Sequence, residues 1–227
     1  KIQIVVKKKM HMHLEPKLDY VAPVSCSNCP RLVAFLDKSR QDNPDWHNAP
    51  VPSFGSINAE ILILGLAPGL RGANRTGRPF TGDFAGDTLY QTLISHGFAS
   101  GNYDPNGNDT LSLINVRIAN AVRCVPPQNK PIGLEINNCR PFLSTELERM
   151  QQLKVILCLG RIAHDTLIRH FKLPAKDHLF SHCKSHKIKP DLSLLNSYHC
   201  SRYNVNTGRL KQHMFDDVFI KLTHLIK

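Results

Sequence analysis

ILILGLAPGLRGANRTGRPFTGD, from Ile61 to Asp83, changes character after its first four residues. The aliphatic run reads as a buried strand over Ile61 to Leu66. From Gly65 to Asp83 the chain holds five glycines, two prolines and three arginines, with a single carboxylate at the far end. That composition suits a pocket wall better than a helix. The loop is not a Walker A motif, since no Gly-Lys-Ser/Thr closes it, and it lacks the G-x-G-x-x-G of dinucleotide binders. Its glycines still let backbone approach a ligand closely. Taken alone, a structural turn with basic decoration explains it as well as an active site does.

Working outward, short apolar runs alternate with amphipathic ones. Thr88 to His96 reads as a helix, Leu111 to Val116 as a strand, Leu134 to Met150 as a helix, and Val155 to Leu159 as a buried strand. Arg161 to Phe171 follows as a helix and Leu192 to Asn196 as a last strand. Leu210, Met214, Val218, Leu222 and Leu225 keep the 3.6-residue period of a closing amphipathic helix. Before the opening strand, Leu32, Val33 and Leu36 after Pro30 mark one helix in a polar lead-in. Strands alternating with helices imply an α/β fold with a parallel sheet covered on both faces. Ligands of such sheets bind in loops beyond the carboxyl ends of the strands. That rule selects Gly65 to Asp83, Asn120 to Pro131 and Ser197 to Arg209.

The 227 residues fit one domain over 14–227, preceded by a basic tail over 1–13 that reads as disordered. A hydrophobic fraction of 41% supports a core, and no apolar run approaches the roughly 20 residues of a membrane span. The reading is therefore of a soluble chain. A net charge of +11 favours a polyanionic partner. The opening apolar stretch is too short for a secretory signal, and seven cysteines then argue for a reducing, cytoplasmic setting.

Cys26 and Cys29 form a C-x-x-C, whose spacing lets two thiolates grip one metal centre, and Cys124 and Cys139 follow later. Four thiolates suit tetrahedral zinc or an iron–sulfur cluster. Most zinc ribbons would bring a second C-x-x-C, which is lacking here. Cys158 reads as a small buried residue, and Cys183 and Cys200 have no obvious partner.

NAVRCVPPQNKP (Asn120 to Pro131) and SYHCSRYNVNTGRL (Ser197 to Leu210) accompany the first loop in order. With the four cysteines, they strongly resemble the uracil-DNA glycosylase superfamily, most closely its type-5 iron–sulfur branch. The resemblance runs from Cys26 to the closing helix. It implies a three-layer α/β/α fold around a central, mostly parallel four-stranded sheet, and removal of uracil from double-stranded DNA by a monomer. It also implies a [4Fe-4S] cluster on Cys26, Cys29, Cys124 and Cys139.

Cutting an N-glycosidic bond requires the base to be flipped out, stacked, read and released as an anion while water captures the sugar. The resemblance gives stacking to Phe80, reading to Asn120, and the remaining base-pocket wall to Gly65 and Ala67. His199 would donate to the departing base. Other branches carry a carboxylate or amide just after the opening glycine, where this chain has Leu66 and Ala67. Catalysis is then assigned to Asp83, with Asn129 assisting. Asp83 also stands where an N-cap for the following helix would. Arg75, Lys130, Arg202 and Arg209 would hold phosphates, and Tyr203 and Val205 would fill the gap left in the stack. Because no lysine occupies a nucleophile position, a monofunctional enzyme is expected. The loss of a polar residue in the first motif fits a site that also accepts hypoxanthine. The competing readings are a zinc- or cluster-stabilised nucleic-acid-binding protein without glycosylase activity, and a nucleotide-phosphate enzyme using the glycine-rich loop.

Overall fold

The computed structural model describes residues 20–227; the expected tail over 1–13 lies outside the described residues. Along the chain come α1 (Pro30–Asp42), β1 (Phe54–Gly55), β2 (Ile61–Gly65), α2 (Ala73–Thr76), α3 (Phe84–Ser95), β3 (Ala99–Ser100), β4 (Ser112–Leu113) and β5 (Val116–Asn120). A 3-10 turn (Pro127–Asn129) leads to α4 (Gly133–Arg149), β6 (Val155–Leu159), α5 (Arg161–His170), β7 (Ser185–Lys189), β8 (Leu192–Ser197), α6 (Arg202–Asn206) and α7 (Gln212–Ile226). No described helix is long and apolar enough to cross a membrane.

The main sheet has six strands in the order β1-β5-β2-β6-β8-β7. Its four inner strands are parallel, as the sequence implies, and β1 and β7 add antiparallel edges. This corrects the expectation of four strands. Two-residue β1 is too short to leave a pattern. In β7, Ser-His-Lys-Ile-Lys replaces an apolar run with lysines, a composition that keeps an exposed edge from pairing further.

Side chains alternate across each strand, so β2 divides its residues between two cores. Ile61 and Ile63 pack with Leu89 and Leu93 of α3 and Phe215, Val218 and Phe219 of α7. Leu62 and Leu64 face Leu143 of α4 and Leu167 of α5. The result is the three-layer α/β/α arrangement. A smaller core joins Leu32 of α1 to Ile136 and Cys139 of α4.

The expected strand over Leu111 to Val116 is displaced. Ser112–Leu113 belongs to a two-stranded hairpin with β3, and the sheet strand starts at Val116. Arg117 hides this strand from a hydrophobicity reading, although it is buried: Glu146 of α4 accepts from its Nε at 2.5 Å and also from Arg123. Burial alone would raise the Glu146 pKa, but the two guanidiniums hold it below the usual value.

Candidate active site

The ends of β2, β5 and β8 present Gly65, Asn120 and the segment after Ser197 along one edge of the parallel sheet. Gly65 is required by what converges on it. A Cβ there would lie 2.5 Å from Asn120 Oδ1 and 2.6 Å from Phe80 Cζ. The Asn120 amide and the Phe80 ring therefore meet over the space that a side chain at residue 65 would fill. Asn120 is 3% exposed and Phe80 8%.

Phe80 holds a left-handed backbone, φ 56°, unusual for an aromatic residue and kept only by its surroundings. Tyr90 donates its hydroxyl to the Pro79 carbonyl at 2.7 Å, and a side chain at Gly86 would collide with the Phe80 carbonyl. The first turn of α3 is thus pressed directly against the backbone that aims the ring.

Asp83 caps α3: its Oδ1 accepts from the Gly86 N–H at 3.0 Å. Oδ2 faces Gly69 and Gly72, where added Cβ atoms would lie 3.2 and 2.8 Å from it. Capping consequently leaves one oxygen in a glycine-lined cradle, so the cap and the catalytic reading are compatible. The residue reaches solvent, yet desolvation by surrounding protein raises its pKa above the ordinary carboxylate value, against the hydrogen bond from Gly86.

His199 follows β8 and lies beside Phe80, ring centroids 5.9 Å apart and planes at 27°. Desolvation lowers its pKa to about 4, so the imidazole is neutral near pH 7. Its Nδ1 is buried without a hydrogen-bond partner among the described residues. His199 also walls a cavity of about 380 Å³ with Gly160, Arg161, Phe180, Tyr198 and Arg209. Cys200, fully buried, donates its thiol to the Ala85 carbonyl at 3.4 Å and ties this segment to the start of α3.

The other expected residues are placed less uniformly. Asn129 is exposed, with φ 57°, and its side chain makes no hydrogen bond among the described residues. Ala67 packs with the small core around the cysteines. Arg75 is engaged with the Arg71 carbonyl at 3.0 Å and Asn106 Oδ1 at 2.8 Å. Lys130, Arg202 and Arg209 are exposed cations; Arg202 lies over the Phe84 ring at 5.6 Å and Arg209 over Tyr198 at 4.8 Å. The third segment is not all loop. Ser201 caps α6, which carries Tyr203, 72% exposed, and Val205.

Cys26, Cys29, Cys124 and Cys139 line one pocket, and no disulfide joins them among the described residues. Cys29 is the N-cap of α1, where Pro30 at the first helical position pre-sets the turn. Cys139 lies within α4, and its sulfur accepts from the Arg123 N–H at 3.3 Å. Burial first, and the neighbouring cysteines next, push Cys124 up to about 12; burial also raises Cys29 and Cys139. Thiols crowded this way gain from a shared cation, so the donor set fits a thiolate-bound metal centre. Among the described residues, no three metal-ligating side chains converge as they would around a single ion.

Several structural partners went unread in the sequence. Arg31 bonds Glu135 through Nε and Nη2, each at 2.7 Å, and the Lys130 carbonyl at 3.2 Å, fixing the turn that carries Asn129. Arg78 pairs with Asp109. Asn74, Asn48 and Ser39 form a buried network tying the first loop to α1. None of these pairs has a local sequence signature.

The family model described as "Uracil DNA glycosylase superfamily" matches residues 52–223. The chain is similar to the type-5 uracil-DNA glycosylase of Thermus thermophilus, 42% identical over 207 residues that cover 88% of this chain and 94% of that protein. It is 37% identical to the type-5 uracil-DNA glycosylase of Mycobacterium leprae over 206 residues, 86% and 88% of the two chains. Similarity to the type-4 uracil-DNA glycosylase of Archaeoglobus fulgidus, 36% identical, spans 54% of each.

Proposed function

From the premise that the chain belongs to the uracil DNA glycosylase superfamily, we propose that it hydrolyses the N-glycosidic bond of uracil in double-stranded DNA and leaves an abasic site. The observation that carries this reading is the meeting of the Phe80 ring and the Asn120 amide over Gly65. An aromatic face beside one amide, with donor and acceptor side by side, matches a flipped uracil, whose N3–H and O4 need those two complements.

His199 then has the chemistry of a neutral donor to uracil O2, where negative charge develops as the bond breaks. A pKa near 4 means that it donates without first acquiring charge. The uncapped oxygen of Asp83 stabilises positive charge on the sugar ring and orients the attacking water, the electrostatic logic of glycosidase carboxylates. Asn129 assists from its exposed turn. Because no lysine occupies a nucleophile position in the motifs, the hydrolysis is read as monofunctional. Lys130, Arg202 and Arg209 hold phosphates, and Tyr203 on α6 enters the gap in the stack. Leu66 and Ala67 impose no polar test on the base, which extends the reading to hypoxanthine.

Cys26, Cys29, Cys124 and Cys139 would hold a [4Fe-4S] cluster. Hydrolysis moves no electrons, so what the cluster supplies is a cross-link between the lead-in, the second loop and α4. A monomer in a reducing, cytoplasmic compartment fits these roles.

The test is a panel of duplexes carrying uracil, hypoxanthine, xanthine or a thymine mismatch, assayed for abasic sites. Release of uracil and hypoxanthine is expected. DNA binding without release from any duplex would replace this reading with a non-catalytic DNA-binding protein.

A further inference from the structure

The three arginines of the first loop are not equivalent. Arg78 is almost enclosed, its side chain 13% exposed, and it makes a two-point pair with Asp109, itself 3% exposed: Nη1 to Oδ1 at 2.8 Å and Nη2 to Oδ2 at 2.6 Å. Aromatic rings surround the guanidinium, with Phe54 at 5.1 Å, Tyr90 at 5.3 Å and Tyr103 at 5.9 Å from its carbon. A planar cation held by a fork of hydrogen bonds and stacked among rings has little freedom to tilt.

Asp109 is fixed in its turn. Its oxygens also accept from the backbone N–H of Asp104 at 2.8 Å and of Leu111 at 3.2 Å. These residues lie in the segment 101–111 between β3 and β4, which also holds Asn106, the partner of Arg75. The segment is therefore bolted to the first loop at two arginines. Arg78 is two residues from Phe80, whose left-handed backbone needs outside support, and Tyr90 links the same ring cluster to the Pro79 carbonyl.

We propose that Arg78 and Asp109 are a positioning pair: together with the ring cluster they set the depth and tilt of Phe80, so that the segment 101–111 governs how the flipped base is stacked. This rests on the uracil-excision reading. Neither residue touches the base; both act through the ring.

The experiment is a double-mutant cycle read by single-turnover release of uracil from duplex DNA. Arg78→Lys and Asp109→Asn, each keeping size and polarity, are made in the wild-type chain and in Phe80→Leu. In the wild-type background each should slow release by about 10- to 100-fold, the penalty for a reacting group displaced by a fraction of an ångström to an ångström. In the Phe80→Leu background the same changes should add less than about 2-fold, because the ring they position is gone. Affinity for duplex already containing an abasic site, which has no base to stack, should stay within about 2-fold in all variants, so the loss falls on the rate rather than on binding. Release at the wild-type rate by Arg78→Lys and Asp109→Asn, or equal losses with and without the Phe80 ring, would overturn the proposal. A purely structural role produces the second pattern. If the wild-type chain releases no base, the excision reading fails by itself. The pair is then judged from the Phe80 ring resonances in the NMR spectrum of the free protein. They should move in Arg78→Lys and Asp109→Asn, and unchanged resonances would refute the positioning role.

Discussion

The cysteine pocket and the base pocket each lean on a clamped arginine–carboxylate pair, Arg31–Glu135 in one case and Arg78–Asp109 in the other, yet they are built oppositely. The cysteine pocket gathers four groups of one kind, with Cys29 capping α1 at an ordinary negative φ of −130° and Cys139 inside the helical backbone of α4. The proposed base pocket gathers one residue of each kind and depends on irregular backbone: Phe80 at φ 56° and glycines where a Cβ would intrude. The difference teaches that changes in the first should cost stability, whereas changes in the second should cost rate.

Asp83→Asn tests that division most severely. Asn is as good an N-cap as Asp, so α3 keeps its start and the thermal midpoint should hardly move. Release of uracil should nevertheless fall by about 10²- to 10⁴-fold, measured under single-turnover conditions. Gly65→Ala comes next. Its methyl group would press on both Asn120 and Phe80, and a loss of about 100-fold in release is expected, with folding preserved by circular dichroism.

On the other side, Cys139→Ser should lower bound iron and the thermal midpoint together. A loss of about 2–3 kcal/mol would shift the midpoint by about 5–10 °C in a chain of this length. Release at low temperature should suffer less than in Gly65→Ala; the reverse order would break the division. Cys200→Ala is the smallest change. It removes a buried thiol that bonds the Ala85 carbonyl, costing about 1 kcal/mol, read as a shift of a few degrees in thermal melts.

How far the sequence revealed these two regions follows from the same contrast. β2 and β6 are legible because strands buried on both faces read as unbroken apolar runs, and β8 is legible from Leu192, Leu194 and Leu195 although Ser193 and Asn196 interrupt them. β5 is not, since Arg117 interrupts it and its neutralising partner Glu146 lies on a helix 29 residues away. The four cysteines proposed as ligands follow from family resemblance, and they share a pocket. Phe80, Asn120, Asp83 and His199 follow from motif resemblance, but not the reasons they hold their positions. Three arginines in one loop suggest phosphates. Only the folded chain shows that Arg75 is engaged with Asn106 and Arg78 with Asp109, each 31 residues on. Pairings at that separation leave no periodic signal.

The pH dependence of uracil release, compared between the wild-type chain and Asp83→Asn, tests most directly the claim that Asp83 acts as an anion in the base pocket. Burial raises the Asp83 pKa above its ordinary 3.8, so activity should be full near pH 7 and fall as pH drops through that raised value. His199, with a pKa of about 4, is neutral near pH 7, and its imidazolium still donates, so the comparison with Asp83→Asn isolates the carboxylate. An acid limb inflecting above 3.8 is expected in the wild-type chain, with a flat residual rate across the same window in Asp83→Asn. The same limb in both proteins, or no uracil released by the wild-type chain at any pH, would contradict it.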